Sequence, residues 1–167
     1  DQLFMPTLYD DVAFGLLQQG VDGDELDRRV RKALADRGLE GLENKFTGHL
    51  SWGQKRLASL AGVMVMEPEV LILDEPSSNL DPRARRNLIN QLDELHNTRI
   101  IAGHDLEMVL DLCHRVLVLS RGVLVAEGDP LEVLAERELM ESHGLEVPHS
   151  LTAERHEHRP RRPRRRP

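Results

Sequence analysis

Apolar residues recur at intervals of three and four through the first third of the chain, then change beyond Pro68 to short continuous runs. The first texture predicts helices, the second predicts strands. Asp1 to Leu8 has neither period and reads as a loop. Asp10 to Gln18 sets Val12, Ala13, Leu16 and Leu17 on one side and is closed by Gly20. Asp24 to Arg37 repeats Leu26, Val30, Ala33 and Leu34 at helical spacing and stops at Gly38. Ser51 opens a third helix, because Gln54 three residues on completes a capping-box pattern. Leu57, Leu60, Ala61, Met64 and Val65 form its stripe.

After Pro68, Val70–Leu73 is a short apolar run, as expected of a strand buried on both faces. Asp81 and Pro82 are an N-cap and a first-turn proline, starting a helix to about His96. Arg99–Gly103 predicts a second strand and Asp105–Cys113 a helix. Arg115–Leu119 and Val123–Ala126 predict a hairpin across Ser-Arg-Gly, and Pro130–Ala135 and Glu136–His143 two short helices. Strand, helix, strand, helix, strand implies an α/β layer with a parallel sheet. The expected organisation is a helical lobe over 1–68, an α/β core over 69–128, a helical extension over 129–154 and a disordered tail over 155–167.

Composition narrows this only in places. The 167 residues suit one domain of ordinary size. No run approaches the ~20 apolar residues that span a bilayer. Cys113 is the only cysteine, so an internal disulfide is excluded. The net charge of −7 is uneven: the tail from 155 to 167 holds seven arginines and one glutamate, a local +6, which leaves −13 on the rest. A body that acidic does not attract nucleic acid or anionic lipid through its overall charge, so nucleic acid is not the expected partner, although the Arg/Pro run of the tail could bind either, the alternative being a solvated tail. His156 and His158 in the tail are a weak metal-binding pattern. The first residue is Asp1 rather than Met, which suggests a fragment or a processed chain.

The candidate chemistry lies where the apolar run meets two acids, in "VLILDEP". Ligands of open α/β sheets bind at the carboxyl ends of strands. Asp74 and Glu75 stand at one such end and His104 just beyond the next. Adjacent carboxylates repel, so a cation near one of them is a natural solution. An Asp can reach Mg²⁺ on a nucleotide phosphate, and a Glu one residue on can polarise water for in-line attack. The plain alternative is that Asp74-Glu75-Pro76 only begins a loop.

The neighbouring stretches decide between these. "LSWGQKR" (Leu50–Arg56) precedes a helix, "SSNLD" (Ser77–Asp81) follows the acids, and "GHD" (Gly103–Asp105) ends the next strand. In this order they resemble the ATP-binding subunits of ABC transporters. "LSWGQ" is similar to the signature motif, "VLILDEP" to the Walker B strand, "SNLD" to the D-loop and His104 to the switch histidine. "DQLFMPTLYDDVAFGL" and "LAGVMVMEPEVLILDEP" resemble the energy-coupling-factor group, which includes cobalt and nickel importers.

The resemblance implies the second half of a P-loop ATPase domain, with ATP and Mg²⁺ as cofactors. Asp74 would serve Mg²⁺, with Glu75 and His104 as catalytic residues. Ser51, Trp52, Gly53, Gln54 and Asp81 would meet nucleotide held by a second ATPase subunit. Helix N-termini suit anions, although Ser51 also serves as a plain N-cap and Asp81 as another. Trp52 departs from the family's glycine, where it would narrow the pocket or stack on a partner. A transmembrane transporter subunit is the implied partner, and the cytoplasmic face of the membrane the implied place.

The sequence contains no Gly-Lys pair, hence no Gly-x-x-x-x-Gly-Lys-Ser/Thr loop to cradle phosphates. In the family that loop precedes the matching region, as does the glutamine of the Q-loop, so Gln2 is not that residue. The expected function is the ATP-hydrolysing subunit of an importer for a metal ion or vitamin. The alternatives are a soluble non-transport ABC ATPase and a catalytically dead regulatory module. By itself the chain is expected to be inactive.

Overall fold

The computed structural model describes residues 3–153; the Arg/Pro-rich tail, with His156 and His158, and Gln2 lie outside the described residues. The chain divides into two compact units, Asp1–Gly103 and His104–Pro167.

In the first unit, α1 (Leu8–Gln18), α2 (Gly23–Asp36) and α3 (Trp52–Met64) pack against one another. Their apolar stripes meet largely as periodicity requires: Leu8, Val12, Ala13 and Leu16 of α1, Val30 and Leu34 of α2, and Leu57, Ala58, Leu60 and Ala61 of α3 are all buried, whereas Leu17, expected on the same side of α1, is 47% exposed at the edge of the stripe. Helix α1 starts earlier than the sequence pattern indicates. Thr7 caps it by accepting a hydrogen bond from the Asp10 amide at 3.1 Å, which draws Leu8 into the first turn. The segment before it is anchored too. The buried Asp11 carboxylate accepts from the amides of Phe4 and Met5 at 2.8 and 2.9 Å. Thr47, in the 3-10 turn Thr47–His49, donates its hydroxyl to the Met5 carbonyl at 2.8 Å. The entry to α3 is thereby tied to the start of the chain.

Strand β1 (Val70–Asp74) pairs in parallel with β2 (Thr98–Ala102), Asp74 standing opposite Ala102. The crossover between them runs through α4 (Pro82–Asp93), whose Leu88, Ile89 and Leu92 are buried. Helix α4 ends before His96; Asn97 donates its side-chain Nδ2 to the Pro68 carbonyl at 3.4 Å as the chain turns into β2. The expectation that β1 is buried on both faces is corrected. Leu71 is 3% exposed, whereas Val70, Ile72 and Ile100 on the opposite face are 49, 71 and 55% exposed. Among the described residues β1 has β2 as its only strand neighbour, so its other edge is unpaired as well as one face of the pair being uncovered.

The second unit contains α5 (Leu106–Leu112), a β3–β4 hairpin (Val116–Ser120 and Val123–Gly128), and α6 (Pro130–Val133), α7 (Arg137–Ser142) and α8 (His149–Ala153). The two-residue turn Arg121-Gly122 has φ of 49 and 78°, the left-handed pair that matches strand twist. Its core is Val109, Leu134 and Met140, with Leu106, Val116, Leu145 and Leu151 around them. Glu107 of α5 accepts from both the amide and the hydroxyl of Ser150, at 3.0 and 2.6 Å, and so holds α8 in place. Burial works to raise its carboxyl pKa, but these bonds and those of the His149 amide outweigh it and leave the group below its ordinary range. No helix among the described residues is long and apolar enough to cross a membrane.

Candidate functional site

Three of the stretches singled out in the sequence converge in the first unit. The start of α3 is a complete capping box: the Gln54 amide donates to Ser51 Oγ at 3.2 Å, and the Ser51 amide donates to Gln54 Oε1 at 3.0 Å. First-turn amides have no acceptor inside their own helix, so the exposed N-terminus of this 13-residue helix presents donors and a positive dipole end. Trp52 is 60% exposed beside them. Gly53 is where α3 approaches α4: a β-carbon there would stand 3.1 Å from that of Ala84. Ala84 lies in the turn capped by Asp81, whose Oδ1 accepts from the amides of Arg83 and Ala84 at 2.9 Å each. Asp81 thus caps α4, and its exposed side of the turn adjoins the start of α3.

Gly53→Val is therefore expected to destabilise the protein by about 1–3 kcal/mol through overpacking. Thermal unfolding followed by circular dichroism measures it. An unchanged melting temperature would mean that α3 and α4 yield freely at this contact.

At the strand end, alternation puts Asp74 on the uncovered face of β1, where it is exposed. Glu75 leaves the strand with φ of 44°, a left-handed conformation that a non-glycine residue adopts only under constraint. The constraint is visible. The Glu75 amide donates to the Ala102 carbonyl at 2.8 Å. The Glu75 carbonyl accepts from the Ser78 amide at 3.2 Å and from Arg56 Nη2 of α3 at 3.3 Å. Ser78 Oγ donates to Glu75 Oε2 at 3.1 Å, fixing the carboxylate. Gly103 leaves space beside it: a β-carbon there would lie 3.5 Å from Oε2. Asn79, φ 62°, continues the tight turn into Asp81. His104 opens the second unit two residues beyond Ala102, the register partner of Asp74, and its side chain is exposed. Asp105 caps α5 by accepting from the Met108 amide at 3.1 Å.

Arg56 and Ser78 are the supporting residues that sequence reasoning did not single out. Both lie inside the quoted stretches, yet nothing in residue order announces a bond from Arg56 to a carbonyl 19 positions away. Among the described residues no group of three His, Cys, Asp or Glu side chains could hold a metal ion by itself. The single exposed carboxylate of Asp74 does fit Mg²⁺ carried in on phosphate, since such an ion takes one or two protein carboxylates and keeps its remaining ligands from phosphate and water.

The solved structure of cbiO1 from Clostridium perfringens, described as part of the ABC transporter complex cbiONQ, superimposes with a TM-score of 0.72 at 40% identity over 92% of this chain and 63% of that one. The ABC transporter family profile matches residues 3–78. A putative ABC transporter ATP-binding protein of Gloeobacter violaceus is 51% identical over 153 residues, 90% of this chain and 63% of that protein. The energy-coupling factor transporter ATP-binding protein EcfA of Methanothermobacter thermautotrophicus is 42% identical over 151 residues, 89% of this chain and 49% of that protein. The chain is homologous to the ATP-binding subunits of ABC transporters, and it spans between 49 and 63% of the length of these relatives.

Proposed function

We propose that the chain is the signature-helix and strand-end portion of the ATP-binding subunit of an energy-coupling-factor importer, which drives uptake of a metal ion such as cobalt or nickel, or of a vitamin. The observation that carries the reading is the Arg56 bond to the Glu75 carbonyl, which ties the helix that would meet phosphate to the residue that would act on water. The names of the relatives support the group to which the reading assigns it.

On this reading residues 1–68 form the signature lobe, 69–128 the second half of the catalytic core and 129–154 a C-terminal extension. ATP, when bound, supplies the phosphoanhydride whose hydrolysis drives transport. The chain's own residues do not fit its main cradle, because no Gly-Lys pair is present; they fit the γ-phosphate side. The first turn of α3, with Ser51, Trp52, Gly53 and Gln54, would donate to the phosphate of nucleotide on a second ATPase subunit. Asp74 would hold Mg²⁺. The Glu75 carboxylate would take a proton from water, His104 would donate to phosphate, and Asp81 would meet the second subunit. The assembly would sit on the cytoplasmic face of the membrane against a transmembrane subunit.

The test is nucleotide-driven dimerisation of the full-length subunit. Ser51→Arg is expected to abolish Mg-ATP-dependent dimers in light scattering while sparing nucleotide binding to the monomer. It also removes a cap worth about 1 kcal/mol, so a circular-dichroism melt checks that the variant is folded. Dimers of normal strength in a folded Ser51→Arg variant would refute the across-interface reading.

A further inference from the structure

We propose that Lys55 is a further phosphate-binding residue of α3, held ready by Trp52. This rests on the reading above, in which the start of α3 receives nucleotide phosphate from another subunit. Trp52 and Lys55 stand three residues apart and so share one face of the helix. Helical side chains lean toward the N-terminus. The Lys55 stem accordingly runs back along the first turn, and its ammonium lies 5.4 Å from the centroid of the Trp52 ring. A full positive charge is thereby delivered to the end of the helix where the first-turn amides gather.

The charge is uncommitted. Among the described residues Lys55 takes part in no ion pair, in a chain whose net charge is −7. Its neighbour Arg56, by contrast, is bonded to the Glu75 carbonyl. Both line a groove of about 560 Å³ with Phe4, Phe46 and Trp52, open to a ligand arriving at the end of α3. A cation over an exposed aromatic ring is weakly held, whereas an ammonium-to-phosphate hydrogen bond is charge-assisted and stronger. An arriving phosphate therefore outcompetes the ring. The indole keeps the lysine extended toward the helix end until then. This also gives Trp52, at the position where the family has glycine, a use.

The experiment traps the dimer in the full-length subunit with Glu75→Gln and titrates Mg-ATP-dependent dimerisation by light scattering at two salt concentrations. Lys55→Met in that background is expected to weaken the dimer about tenfold, the factor that one modest charge-assisted bond represents. It should also flatten the salt dependence. Lys55→Arg should restore both. Trp52 is the only tryptophan, so its emission should change on Mg-ATP addition in the lysine form and respond less in Lys55→Met. An unchanged melting curve in Lys55→Met excludes a merely structural effect. A trapped dimer whose strength, salt dependence and emission change are the same in Lys55→Met overturns the assignment of Lys55 and leaves the α3 interface standing. Failure of the Glu75→Gln subunit itself to dimerise with Mg-ATP overturns both.

Discussion

Glu75→Gln in the full-length subunit is expected to leave Mg-ATP binding intact and to slow hydrolysis by about 10²–10⁴-fold, the usual cost of removing a positioned general base. The substitution is close to a pure test of basicity. Glutamine has the same length, its carbonyl oxygen can accept the same bond from Ser78 Oγ, and the backbone bonds to Ala102, Ser78 and Arg56 do not involve the side chain. The left-handed φ of 44° weighs on both residues alike, so folding stability should hardly move. What disappears is the ability of the carboxylate to take a proton from water. Single-turnover hydrolysis measures the effect free of product release. A rate within threefold of wild type, well inside the range that loss of a general base produces, would remove Glu75 from this role.

The chain of 167 residues by itself is expected to bind Mg-ATP about a thousandfold more weakly than a subunit that has its phosphate-binding loop. The residues at the end of α3 and β1 approach only one end of the nucleotide, and nothing in the chain supplies the loop amides or their lysine. Charge-assisted hydrogen bonds to phosphate contribute about 1.5–3 kcal/mol each. Losing three removes at least ~4.5 kcal/mol, which carries a micromolar site into the millimolar range. Asp74 and Glu75 would moreover face the nucleotide without a lysine to offset them. Isothermal titration calorimetry of the purified chain settles the matter; saturable binding tighter than about 100 µM on the affinity scale would reveal a cradle made from other residues.

Much of the local structure was legible because it is set by contacts a few residues apart. Ser51 with Gln54, Asp81 with Pro82, and Arg121-Gly122 announce a capping box, a helix start and a hairpin turn, and each forms as its residue types require. The spacing of Val12, Leu16, Val30 and Leu34 foretold which helical faces are buried. The placement of two acids at a strand end, and hence the candidate site, was equally readable, since a short apolar run that ends in two acids and a proline is a property of a short window. Thr7 was readable in principle, being a threonine three residues before an Asp, but the loop-like start of the chain hid it.

The tertiary structure alone decided what depends on residues far apart in the chain. Burial of β1 on one face only could not be inferred from four apolar residues, because an apolar run reads alike whether one or two layers cover it. The left-handed turn at Glu75 is imposed by Ala102, Ser78 and Arg56, two of which come from other elements. The need for a small residue at Gly53 arises from Ala84 on another helix. The sequence by itself determined the helices, the strands and the kinds of side chain offered at their ends, through backbone geometry and side-chain chemistry acting over one or two turns. Which of those ends meet, and how tightly, was decided only when packing brought α3, α4 and the β1–β2 pair together, because that depends on the shapes of surfaces no short stretch of residues contains.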